Sequence, residues 1–134
     1  MDVKTHRHIN PTLCGRPLRV EKERCEVELV TISEMEADVS GLVHGGFIFG
    51  LADYAAMIAV NHQNVVLGGA DVNFFKPVRS GETLMAKAEV VSASGKKQIV
   101  SVQVFRGEEI IFQGEFTCFV LDRHVLDIVG EKEQ

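Results

Sequence analysis

Residues 45–60 read Gly-Gly-Phe-Ile-Phe-Gly-Leu-Ala-Asp-Tyr-Ala-Ala-Met-Ile-Ala-Val and hold a single charged side chain, Asp53. The run has no proline and no alternation of polar with apolar positions, so it predicts a helix over 47–60. His44 or a neighbour opens it, and Asn61-His62 closes it. A surface helix keeps one polar face, whereas this one is apolar on nearly every side and must be covered all round. Its small residues, Gly50, Ala52, Ala55, Ala56 and Ala59, allow a sheet or a second helix to come close. A bilayer needs about 20 apolar residues, so this stretch is too short to span one. It is expected to be the core of a folded domain.

The rest of the chain must supply the cover. With 134 residues, 46% hydrophobic and 25% charged, it reads as one globular domain, 1–134, able to bury about two-thirds of its unfolded surface. Residues 1–20 are polar with Pro11, Gly15 and Pro17, and are expected to be an irregular lead-in. Their His6-Arg7-His8 reads as a solvated terminal segment rather than as metal ligands. Alternation over 22–32 (Cys25, Val27 and Leu29 against Glu26 and Glu28) predicts a strand, and 33–44 a loop. After the helix, 65–67 leads through Gly68-Gly69 into 70–76, ended by Pro77. Three more alternating runs, 82–91, 98–105 and 110–120, are separated by Gly-containing turns. Residues 122–134 read as a polar tail. A strand, a helix and an antiparallel run make an α+β domain rather than a βαβ one. The expected form is a curled antiparallel sheet of about five to six strands wrapped around one long central helix, with a second copy closing any side left open.

Charge and cysteine usage narrow the setting. The net charge of −5 is the reverse of a nucleic-acid binder's basic field. The first twenty residues lack the apolar stretch of a secretory signal, and the cytoplasm is the expected location. Cys14, Cys25 and Cys118 are odd in number and unpaired in spacing, as in reduced thiols. Cys25 and Cys118 fall on the apolar side of predicted strands and read as core.

Two features of the helix carry chemistry. At its mouth stands His44-Gly45-Gly46. A helix N-terminus leaves about four N–H groups unpartnered and favours negative charge, and glycines let a ligand approach those amides. That is the layout of an oxyanion hole, although a plain turn into a helix has the same residues. The second feature is Asp53, costly inside an apolar helix unless it is hydrogen-bonded or serves as a base or nucleophile. Gly45 and Asp53 are eight residues apart, roughly 12 Å along the axis and about 80° around it. A single carbonyl cannot meet both. The antiparallel helix of a two-fold-related copy could bring its own Asp53 beside Gly45.

His44-Gly45-Gly46 with Asp53, followed by Ala70-Asp-Val-Asn-Phe-Phe-Lys-Pro-Val-Arg-Ser-Gly81-Glu-Thr-Leu84, resembles the hotdog-fold acyl-CoA thioesterases of the phenylacetate-degradation (PaaI-like) type. The resemblance covers about residues 22–120. It implies acyl-CoA hydrolysis without metal or cofactor by a homodimer, often paired into a homotetramer. It makes Gly45 the oxyanion donor, Asp53 the nucleophile or water-activating base, and His44 a group shaping the mouth. Asp38 stands where members often have Asn, and Gly69 where some have Ser or Thr, positions that help hold water or the acid.

An acyl group is expected to lie against Gly46, Phe47, Tyr54, Met57 and Phe74. Coenzyme A carries a pyrophosphate and a 3′-phosphate, for which Lys76 and Arg79 and the hairpin residues Lys96 and Lys97 are the candidate cations, with Arg106 weaker. Two other readings of the fold are a non-catalytic acyl-CoA binder or sensor and a hydratase or dehydratase.

Overall fold

Six antiparallel strands form one sheet in a computed structural model that describes residues 1–133. They are β1 (Arg16–Glu21), β2 (Arg24–Val30), β3 (Val65–Phe74), β4 (Thr83–Ser94), β5 (Lys97–Arg106) and β6 (Glu109–Val120), with helices α1 (Pro11–Cys14), α2 (Gly45–Val60) and α3 (Val125–Glu133). The spatial order is β1-β2-β4-β5-β6-β3.

Alternation decides which face carries the helix. Cys25, Val27 and Leu29 of β2 lie opposite Ala88, Ala86 and Leu84 of β4, and all six are buried. Val100, Val102 and Val104 of β5 and Phe112, Phe116 and Cys118 of β6 extend the same apolar floor. α2 lies on it. Ala52, Ala55, Ala56 and Ala59 are at most 1% exposed, and their short side chains let the helix backbone come close to the sheet. Asn61 closes α2 in the left-handed conformation (φ 51°), its N–H donating to Met57 O at 2.8 Å.

The structure corrects the expected curled sheet. The sheet is open, neither closed on itself nor strongly curled around α2, and β1 and β3 are its two edges. Gly46, Phe49, Gly50, Asp53 and Val60, spaced along one side of α2, stay partly or fully exposed. A Cβ built on Gly50 would meet nothing within 4 Å. An apolar helix therefore does not force its own sheet to surround it, because small residues on the far stripe leave little apolar surface to hide.

The lead-in is also more ordered than its composition implied. α1 and β1 both fall at its end, and Val3, Ile9, Leu13 and Cys14 pack against the core. Gly15 makes this possible. At φ 108° it turns the chain so tightly over β2 that a Cβ there would lie 2.9 Å from Glu28 O. The Gly68-Gly69 break is a bulge within one strand rather than a turn. The β3–β6 register shifts between Leu67 and Gly69, and the Phe119 ring occupies the space that a Gly68 side chain would need. The tail contains α3.

Candidate functional site

α2 presents its two polar features to two different cavities. At the mouth, His44 is the N-cap residue, extended at ψ 131° and making no side-chain cap bond. Its N–H donates to Met35 O at 2.9 Å, while Val43 N–H donates to Val78 O at 2.8 Å. These bonds fix the approach of the chain, and the first-turn amides of Gly45 and Gly46 start the helix without intrahelical acceptors. Aromatic rings close in on both glycines. A Cβ on Gly45 would lie 3.3 Å from the Phe74 ring, and one on Gly46 would lie 2.9 Å from His44 Nε2. Gly45 lines a cavity of about 320 Å³ with Val43, Ile48, Phe74, Phe75 and Lys76. Phe74 is itself held edge-on against Phe112, their centroids 4.9 Å apart.

Two turns further on, Asp53 opens into another cavity, of about 410 Å³, with Thr5, His6, Met57, Val65, Leu67 and His124 among its walls. Burial pushes the Asp53 carboxyl up to about 6. The thiols of Cys14 and Cys118 are raised first by burial and then by the Asp53 charge, Cys118 to about 12. The surroundings of this carboxylate thus combine protonated thiols and apolar side chains with the polar wall residues Thr5, His6 and His124. No described residue forms an ion pair or hydrogen bond with it.

The remaining expected residues divide between these places and others. Met57 lines the Asp53 cavity, and Phe74 and Lys76 the Gly45 cavity. Asp38 and Arg79 share a third cavity of about 640 Å³ with Ser40, Leu42, Glu82 and Arg106. Arg106 is engaged by Glu82, by Glu109 and by Pro77 O. Tyr54, expected in the pocket, is buried in the core; its hydroxyl pKa is raised by burial and by the neighbouring Cys14 and Cys25. Phe47 stands edge-on to His44, with centroids 6.2 Å apart. Gly69 lies exposed on β3, with open space around it.

Lys96 and Lys97 sit at the other end of the sheet from Lys76. Lys97 pairs with Phe119 beside the start of β3, whereas Phe74 at its far end pairs with Phe112. Ten residues of β3 separate these ends by about 30 Å. Lys96 is in addition bound to Asp122 at 2.9 Å. Within one copy the two pairs of cations do not form one patch. Sequence reasoning missed His6 and His124 as wall residues, since the two lie at opposite ends of the chain and no spacing rule joins them.

Residues 40–112 match the family model described as Thioesterase superfamily. The chain belongs to the hotdog-fold thioesterase superfamily. The uncharacterized protein PH1136 of Pyrococcus horikoshii superposes with a TM-score of 0.94 at 53% identity, over 95% of this chain and 98% of that one. A point mutant of phenylacetic acid degradation protein PaaI from Thermus thermophilus superposes at 0.75 with 25% identity, over 81% and 95%.

Curated relatives are longer. Methylthioribose-1-phosphate isomerase of Aquifex aeolicus is 53% identical over 91% of this chain but only 27% of its own length. Transcription factor FapR of Shouchella clausii is 32% identical over 60% of this chain and 42% of its own length. The chain thus spans about a quarter to under half of these relatives. Among the described residues, no helix is long and apolar enough to cross a membrane, and no group of three or more His, Cys, Asp or Glu side chains is placed to hold a metal.

Proposed function

We propose that this chain hydrolyses an acyl-CoA thioester to a free acid and CoA. The observation that carries the reading is Asp53, a desolvated carboxylate on an otherwise apolar helix, facing a cavity and raised to about 6. A carboxylate of that basicity is ionised at neutral pH and is a stronger base than an exposed one. In this mechanism the thioester carbonyl oxygen accepts a hydrogen bond from Gly45 N–H. Asp53 takes a proton from water as the water oxygen bonds to the carbonyl carbon. The tetrahedral intermediate then collapses, the C–S electron pair leaves with sulfur, and the thiolate recovers a proton. Gly45 and Asp53 line separate cavities of one copy, which supports a site completed by the antiparallel α2 of a second copy. Lys76 beside the Gly45 cavity is the cation we assign to CoA phosphate, with Arg79 next to it.

A second reading is a binding module without turnover, favoured by the relatedness to FapR, a transcription factor. One experiment separates the two. Wild-type and Asp53→Asn protein are incubated with a panel of short, medium, long and aryl acyl-CoAs and a thiol reagent. Hydrolysis predicts thiol release by the wild type and a fall in kcat of at least about 100-fold in Asp53→Asn, with KM nearly unchanged. Saturable binding with no thiol release from any substrate would establish the binder. Full turnover by folded Asp53→Asn protein would remove Asp53 from the mechanism.

A further inference from the structure

The first nine residues are fastened over the Asp53 end of α2. The Met1 ammonium donates to Val20 O at 3.3 Å. Asn61, the residue that ends α2, accepts from Lys4 N–H through Oδ1 and donates from Nδ2 to Asp2 O, each at 2.8 Å. Thr5 is buried, at 5% exposure. His6 follows it in the left-handed region at φ 53°, an uncommon conformation for a residue with a side chain. Its O accepts from Ile9 N–H, closing a turn. This bracing sets half-buried His6 in the wall of the same cavity that Asp53 lines.

The ring is positioned by one bond and left open at another. Thr5 Oγ1 and His6 Nδ1 are 2.7 Å apart, and no described residue bonds Nε2. His124, also in the cavity wall, has its Nδ1 occupied by Leu126 N–H at 3.1 Å. A carboxylate alone holds a water at one point and leaves its direction free. Turnover needs the water oxygen aimed at the carbonyl carbon, and a second hydrogen bond supplies that aim.

We propose that His6, through Nε2, holds the water that Asp53 deprotonates. If Thr5 donates to Nδ1, Nε2–H donates to the water oxygen. In the other tautomer Nε2 accepts the water's second proton. In both cases the water proton passes to Asp53 and the ring neither gains nor loses one. Burial lowers the His6 pKa, which favours the neutral ring that both of these arrangements use.

This inference rests on the hydrolytic reading, and its test keeps the two apart. His6→Asn is the informative change, because Asn accepts left-handed backbone while its amide is too short to reach the position of Nε2. His6→Gln extends nearly as far as the ring. With the best acyl-CoA substrate, His6→Asn should lower kcat about tenfold with KM within about twofold, and His6→Gln should recover part of the loss. Two results overturn it while Asp53→Asn stays inactive: a His6→Asn kcat within about twofold of wild type, or equal losses in both His6 variants that track their melting temperatures. If Asp53→Asn retains full turnover, or the wild type hydrolyses none of the panel, the hydrolytic reading itself fails and the role of His6 falls with it.

Discussion

The mouth of α2 and its Asp53 turn offer the same helix two kinds of polarity. At the mouth the polar groups are backbone amides, present at any helix start and framed by the Phe74 and His44 rings. They carry no titratable charge. Two turns on, the polar group is a side chain in a position where burial works against its charge. The first needs only that no side chain block it, which is why glycine stands there. The second needs walls that limit how much water solvates its charge, and those walls come from residues 5–6, 57, 63–67 and 124–125. The donors at the mouth thus belong to the helix backbone itself, whereas the character of Asp53 is set by side chains from across the fold.

Three predictions test that division. The largest effect belongs to Gly45→Pro. Gly45 is the first residue of α2 after an extended His44, where proline suits the backbone, removes the N–H and brings a Cβ to 3.3 Å from the Phe74 ring, which must shift slightly. Turnover should fall about 100-fold, the scale of one lost oxyanion donor, and well below that of Gly45→Ala, which adds the Cβ but keeps the N–H. Normal kcat in a folded variant would reassign the carbonyl to other donors.

Next is pH. If Asp53 is the base proposed above, kcat should drop about tenfold per pH unit below about 6 and level off above it. Gly45→Pro should keep the same inflection, since the amide does not titrate. An inflection near 4 would mean that the carboxylate in the working protein is as solvated as in a free peptide.

The smallest effect is on stability. Asp53 has a folded pKa above its unfolded value of 3.8, so the folded state holds its proton more tightly. The associated stability is fully present below about pH 4 and is lost as pH rises through about 6. Asp53→Asn should therefore melt higher than wild type at pH 8, by about 3 °C or more, and the gap should narrow towards pH 4. Equal melting at both pH values, followed by calorimetry, would show that the ionised carboxylate is stabilised by a partner.

Much of this was legible in the sequence because the signals are local. The apolar run with one Asp marked α2, Gly-Gly marked the mouth, and period-two alternation marked β2, β4, β5 and β6. β1 was hidden because, as an edge strand, it shows most of its residues to solvent: Arg16, Leu18, Arg19 and Glu21 are exposed, and Pro17 reads as loop. The openness of the sheet was hidden for a different reason. Hydrophobicity says that a helix must be covered, yet not by what, and Gly46 and Gly50 reduce the surface in need of cover. Tyr54 shows the same limit within the site. One residue along a helix turns a side chain by about 100°, so Tyr54 points into the core while Asp53 points into the cavity.

α2 also governs how the protein can respond to a ligand. Sixteen residues without proline, pressed onto the sheet through alanines, form a stiff rod, and stiffness holds the spacing of amide and carboxylate constant. The mouth and Asp53 cannot be drawn together by bending. Under the proposed function, accommodation of a bulkier or slimmer acyl group would fall to the walls, among them residues 1–9, which hydrogen-bond twice to Asn61 at the end of α2. Those residues lie outside α2. Substitutions among them that spare Thr5 and His6 would retune the walls while leaving the proposed water-holding pair in place, so selectivity could change apart from the chemistry.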